Sequence, residues 1–189
     1  MRSSGVLMHL SSLPSPYGIG TMGKQAKQFV DFLEKAGQTY WQMLPICPTS
    51  YGDSPYQSPS GFAGNPYFID LDILCTKKLL KKSECKSYQW NEKDDTVDYA
   101  LLYKNRYDLL RKAKVRFFEN VPQEYGQFCE KEADWLDDFA LFMALKEAHN
   151  GAQWSEWERP LKFREAEAIA KAKDTYAAVS YTHLRAHET

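Results

Sequence analysis

Two short apolar runs flank one amphipathic helix at the start of the chain, and that order restricts the fold more than any other feature. "GVLMHL" (Gly5 to Leu10) is too short for a helix and is bounded by Ser and Pro, so it reads as a strand. "KQAKQFVDFLEKAG" then sets Ala26, Phe29, Val30, Leu33 and Ala36 on one face at helical spacing, with Gly37 placed to end the helix. "YWQMLPI" (Tyr40 to Ile46) is a second, nearly continuous apolar run, the pattern of a strand covered on both faces. Strand, helix, strand at this spacing is a right-handed βαβ unit, so the two strands should run parallel. Loops leaving their carboxyl ends then share one rim, where parallel α/β folds place ligands.

Both of those loops are long. "HLSSLPSPYG" follows the first strand and "PTSYGDSPYQSPSGFAGNPY" (Pro48 to Tyr67) follows the second. About twenty residues without a regular element are uncommon inside a domain unless they are functional or disordered. "YFIDLDIL" reads as a short extended piece carrying a turn, and "KKLLKK" (Lys77 to Lys82) as a solvated patch. From about Thr76 the character turns helical. "VDYALLYKNRYDLLRKAKVRFFEN" sets Tyr99, Leu102, Tyr103, Leu109, Leu110, Ala113 and Phe117 at helical spacing behind a capping Asp98. "ADWLDDFALFMALKEAHNG" does the same with Trp135, Phe139, Phe142, Met143 and Leu145, ending at Asn150-Gly151. "FREAEAIAKAKDTYA" predicts a third, alanine-rich helix, and "SYTHLRAHET" (Ser180 to Thr189) breaks its pattern like a foreign extension.

Bulk properties exclude several function classes. The 189 residues carry a net charge of -1, which gives no electrostatic case for nucleic acid or an anionic membrane. Cys47, Cys75, Cys85 and Cys129 show no C-x-x-C spacing and no metal-like spacing to histidine, so free thiols in a reducing cytoplasm are expected. The absence of a signal-like leader or a transmembrane-length apolar run agrees with that setting. Gly18, Gly20 and Gly23 spell G-x-G-x-x-G, but "SSLPSPY" separates them from the strand, and no acidic ribose ligand ends the second strand. Their expected role is to shape a turn and allow a close helix start. His183 and His187 stand four apart with no third ligand in view, so no metal site is assigned.

The chemistry of the two loops points to a neutral, hydroxyl-rich ligand. One offers His9, Ser11, Ser12 and Tyr17; the other offers Tyr51, Asp53, Ser54, Tyr56, Gln57, Ser58 and Asn65. Sugar rings stack their C–H faces on aromatic planes and hydrogen-bond through their hydroxyls. An anionic ligand would call for Arg or Lys, which both loops lack. A plain Pro/Ser-rich surface loop is the alternative from composition alone.

Several motifs in one order then carry a resemblance. "GVLMHLSSLPSPYGIGTMG", "YWQMLPICPTSYGDSPYQSPSGFAGNPYFIDL", "VDYALLYKNRYDLL" and "WLDDFALFMALKEAHNG" resemble the opening of 4-alpha-glucanotransferases of the amylomaltase (disproportionating enzyme) type, over roughly residues 5 to 178. The resemblance implies an α/β fold, the N-terminal part of a (β/α)₈ TIM-type barrel. Residues 1–75 would supply its first two strands and a substrate loop, residues 76–178 a helical insertion subdomain, and 179–189 a non-native tail. It implies retaining transfer of 4-alpha-glucan segments between malto-oligosaccharides, or to glucose, through a covalent intermediate and without a cofactor. Carried over by motif, Tyr51, Asp53, Ser54, Tyr56 and Ser58 would bind glucan, with His9, Ser12 and Asn65 in support. The catalytic carboxylates of the family would lie beyond residue 189, so none is assigned here and the chain alone is expected to be inactive. A complete barrel takes about 250 residues. An alpha-amylase-type hydrolase and a non-catalytic carbohydrate-binding module are the alternatives.

Overall fold

The computed structural model describes residues 2–50, 52–93 and 95–185, with side chains through Ala177. It divides into two compact units, residues 1–120 and 121–189.

The first unit opens with the expected βαβ pair. β1 (Gly5–Leu7) and β2 (Tyr40–Gln42) run parallel, with Val6 opposite Trp41. They are joined by α1 (Lys24–Lys35), which ends at Gly37 in the left-handed region (φ 68°). The strands are shorter than their apolar runs, because past Leu7 and Gln42 the chain turns into the two loops. The expectation that both faces are covered is corrected here: Leu7 and Tyr40 are 61% and 62% exposed. Of the predicted α1 face, Ala26 and Leu33 are buried and Phe29 stands edge-on to Trp41 at 4.9 Å, whereas Val30 is half exposed.

"YFIDLDIL" is not extended. Pro66–Phe68 form a 3-10 turn, and α2 (Leu71–Thr76) follows. Asp70 explains the difference, since its carboxylate accepts from Ile73 N at 2.9 Å and caps the helix. A short α3 (Lys82–Lys86) precedes α4 (Tyr99–Phe118), whose cap is Asp98 as expected, accepting from Leu101 N. Along α4, Leu102, Leu109, Ala113 and Phe117 are buried.

Polar side chains of α4 fasten the segment from Tyr67 to Gln89. Arg106 is fully buried and donates to Tyr67 O at 2.5 Å. Asn105 donates to Gln89 O at 2.6 Å. Arg116 reaches Leu79 O and forms a two-pronged pair with Glu84 at 2.6 and 2.7 Å. The bidentate geometry holds the Glu84 carboxyl down to about 2.

The second unit contains α5 (Gln123–Lys131), α6 (Leu136–Ala148), α7 (Arg159–Lys162) and α8 (Ala166–Arg185). Leu141, Leu145, Trp157 and Ala172 form its main core, and Leu136 with Ala140 forms a second cluster beside Phe128 and Trp135. α6 ends at Asn150 and Gly151, both at positive φ, where the sequence placed its end. The α8 backbone continues helically past Ser180, while the side chain of His183 and all of His187 lie outside the described residues.

His149 closes α6. Its Nδ1 lies 2.7 Å from Leu145 O, its Nε2 lies 2.9 Å from Glu158 Oε2, and its ring stacks on Trp157. Both nitrogens face acceptors, so both donate only in the imidazolium form. The Glu158 carboxylate, then the Leu145 carbonyl, accordingly raise its pKa. A raised folded pKa contributes stability that is fully present below the unfolded value and is lost as pH rises through the folded one. The urea midpoint of the second unit should therefore decrease as pH rises above the ordinary histidine value of 6.5. His149→Gln should flatten that slope, and an unchanged slope would refute the assignment.

Candidate functional site

The long loop after β2 is ordered by its own hydrogen bonds. Ser50 N donates to Gln57 O at 2.9 Å, Asp53 N to Ser50 O at 3.1 Å, and Gln57 N to Ser54 O at 3.1 Å. Ser58 Oγ donates to Ser60 O at 2.7 Å, and Ser60 Oγ accepts from Phe62 N and Ala63 N. Asn65 N returns to Ile46 O at 2.9 Å and closes the neck. Serines and an asparagine here replace the ladder bonds that a loop forgoes.

Within that frame the predicted residues differ in role. Tyr56 is 73% exposed and presents its ring to solvent. Ser54 Oγ accepts from Tyr56 N at 3.3 Å and sets the turn under it. Ser58 is exposed and braces Ser60 in both directions. Asn65 is buried and accepts from Tyr67 N at 2.9 Å, so it holds the turn that follows. Asp53 sits in the left-handed region at φ 53°, directly after Gly52 at φ 85°. Partial burial raises the pKa of its carboxyl, and a hydrogen bond from Thr49 opposes the rise. Tyr51 lies outside the described residues.

The first loop folds onto the segment just beyond the second. Met22 N donates to Phe68 O, Thr21 Oγ1 to Asp70 Oδ2 at 2.7 Å, and Tyr17 OH to Asp72 Oδ1 at 2.7 Å. His9 is half-buried with its ring edge-on to Phe68 at 5.5 Å. Burial lowers its pKa, and its Nδ1 is buried with no partner among the described residues. Ser12 is exposed, and its N–H donates to His9 O at 3.0 Å.

The glycines perform the expected structural work. Gly18 has φ 78° and lies against the Trp90 backbone, Gly20 against Leu10 O, and Gly23 against the Asp70 carboxylate.

α4 adds a row of which the sequence reading named Tyr99 and Tyr103, at helical spacing, but not Tyr107. Tyr99, Tyr103 and Tyr107 are one turn apart, and Tyr67 lies 6.2 Å from Tyr99 and 5.9 Å from Tyr107. Tyr103 is 67% exposed. Burial pushes the Tyr67 phenol upward, and the neighbouring Tyr107 and Asp53 add to the rise, so this row and the Asp53 turn share one neighbourhood. The signal in the sequence is the i, i+4, i+8 spacing of three amphipathic rings.

The family model described as 4-alpha-glucanotransferase matches residues 8–186. The chain belongs to the 4-alpha-glucanotransferase family. The 4-alpha-glucanotransferase of Clostridium butyricum is 51% identical over 167 residues, which cover 88% of this chain and 34% of that protein. That of Thermus thermophilus is 47% identical over 180 residues, or 93% of this chain and 35% of that protein. The solved amylomaltase from Streptococcus agalactiae in complex with acarbose superposes with a TM-score of 0.95 at 39% identity, covering all of this chain and 38% of that one. The chain thus spans about a third of the length of the 4-alpha-glucanotransferases it matches.

Proposed function

We propose that the parent protein transfers 4-alpha-glucan segments between malto-oligosaccharides, or to glucose, by retaining double displacement, and that these residues form part of its glucan groove. The observation that carries the reading is the loop at residues 52–65: a rigid scaffold of Ser and Asn hydrogen bonds that holds the Tyr56 ring 73% exposed. An exposed ring on a braced backbone loses little entropy when a sugar face stacks on it. Ser54, Ser58 and Asp53 supply hydroxyl partners beside it, and His9, Ser12 and Asn65 support the rim. The superposition on an amylomaltase solved with acarbose, a carbohydrate ligand, supports the same reading.

In the parent, β1 and β2 would be the first two strands of a (β/α)₈ barrel, and the helices beyond Thr76 an insertion before the third. Exposed Leu7 and Tyr40 on the strands, with Phe32 on α1, are the apolar surface that further barrel elements would cover. The carboxylate nucleophile and the acid/base come from those further elements. No helix among the described residues is long and apolar enough to cross a membrane; a cytoplasmic setting fits a maltodextrin substrate.

Two experiments test this on the full-length parent. Incubation with maltotriose should give a ladder of longer sugars plus glucose, whereas glucose and maltose alone would mean a hydrolase. Tyr56→Ala should lower kcat/KM about 5- to 150-fold, equivalent to about 1–3 kcal/mol of lost ring contact. Unchanged kinetics would remove Tyr56 from the groove.

A further inference from the structure

Two of the four cysteines face each other away from the glucan loop. Cys75, in the last turn of α2, and Cys85, in α3, place their sulfurs 3.7 Å apart. Both are free thiols. They differ in access, since Cys85 is fully buried and Cys75 is half-buried at the surface. Cys85 is also held from behind, as its carbonyl accepts from Trp90 Nε1 at 2.9 Å. The remaining pair is not arranged this way: Cys47 belongs to the first unit, where its sulfur donates to Gly61 O, and Cys129 belongs to the second.

We propose that Cys75 and Cys85 form a peroxide-oxidisable dithiol, with Cys75 the attacked sulfur and Cys85 the resolving one. The accessible Cys75 thiol loses its proton and its sulfur attacks one oxygen of hydrogen peroxide; the O–O bond breaks, Cys75 sulfenic acid forms, and the departing hydroxide takes up a proton to leave as water. The Cys85 sulfur then attacks the sulfenic sulfur. Its proton leaves with the departing hydroxide as a second water, and the S–S bond forms. The two thiols supply two electrons and the peroxide accepts both. To close, the sulfurs move from 3.7 Å to the ~2.05 Å of a disulfide. Burial first, and then the Cys75 thiol beside it, push the Cys85 thiol up to about 12. It is therefore a poor first nucleophile in water, and its part rests on being already in contact with Cys75.

Lysines between the two cysteines make the bridge easy to read. Trypsin cuts at Lys77, Lys78, Lys81 and Lys82, so Cys75 and Cys85 fall on separate peptides unless bridged. The full chain, reduced and then given a brief low dose of hydrogen peroxide, should be alkylated under denaturing conditions and digested. The expected result is one cross-linked, dithiothreitol-reversible species of peptides 36–77 and 83–86, with joint loss of the free forms; fragment spectra should place the bridge at Cys75 and leave Cys47, on the same peptide, alkylated, as is Cys129. In Cys85→Ser, dimedone should mark Cys75. Wild-type chain treated in urea should lose the selectivity, which ties it to the folded contact. Sulfinic acid at Cys75 with no cross-link, oxidation of Cys47 or Cys129 first, or equal labelling of Cys85 in Cys75→Ser would each overturn the proposal.

Discussion

Arg106→Ala should destabilise the first unit by about 3–5 kcal/mol, read as a drop in the urea midpoint followed by tryptophan fluorescence. Arg106 is 0% exposed, a rare place for a guanidinium. It donates to Tyr67 O, lies 5.6 Å from the Trp90 ring, and is attracted by the buried Asp70. Burial drags its pKa down to about 10, against the pull of Asp70, so it remains charged at neutral pH. Its Nε and Nη1 have no partner among the described residues, so part of its desolvation is uncompensated. Truncation would nevertheless leave a cavity and leave the buried Tyr67 O without its donor. A lost large buried side chain together with an orphaned buried carbonyl is a costly combination. Arg106→Met separates the terms, because it fills the volume and removes only the charge. If Met matches Ala, the charge is what matters; if Met matches wild type, the packing is. A neutral Arg106→Ala would show that α4 does not hold the segment that ends the loop after β2.

Arg106 also marks where sequence reading stops. It lies in "KNRYD", a stretch whose polar composition reads as wet although its spacing from Leu102, Leu109 and Ala113 sets it on the inner face of α4, and Asn105 and Arg106 are both buried. Their partners are backbone carbonyls at Gln89 and Tyr67, which composition cannot reveal. The readable features were those with local causes: α1 ending at Gly37, the Asp98 cap, and α6 stopping at Asn150-Gly151. α2 was missed although its cap, Asp70, is equally local. Its six residues are too few to show a period. α5 was missed for a related reason, since Tyr125 is its one buried residue. The apolar strands were read as covered on both faces, yet Leu7 and Tyr40 are exposed. Apolar continuity along a strand registers the surroundings it suits, which need not be supplied by neighbours within the same stretch of chain. In the candidate site the residue types were legible and their division of labour was not. Nothing in "YGDSPYQSPSG" tells which serines brace backbone, and here Ser54, Ser58 and Ser60 all do, while the hydroxyls of Ser54 and Ser58 keep hydrogen-bonding capacity beyond those bonds.

Gly20→Ala should be the second large effect, about 3 kcal/mol in stability, at the upper end of what overpacking costs. Its φ is not positive, so the penalty is not conformational. A Cβ at Gly20 would run into Leu10 O and come within 2.8 Å of Leu13 O and 2.9 Å of Leu13 Cβ. Two of those three atoms are backbone, which cannot rotate aside. Gly20 N also donates to Ser11 O at 3.1 Å, so the residue clasps both ends of the loop that carries Ser12 and Tyr17. Relief of the clash would open that clasp and loosen Tyr17 from Asp72 and Thr21 from Asp70. Two other glycines set the scale. Gly61→Ala meets open space and should be neutral. Gly37→Ala also meets open space but at φ 68°, so it should cost only the ~1 kcal/mol of a left-handed residue. The order Gly20, Gly37, Gly61 in urea midpoints therefore separates crowding from backbone strain. If Gly20→Ala falls with Gly61→Ala, the first loop is not clasped here, and the support assigned to His9 and Ser12 loses its structural basis.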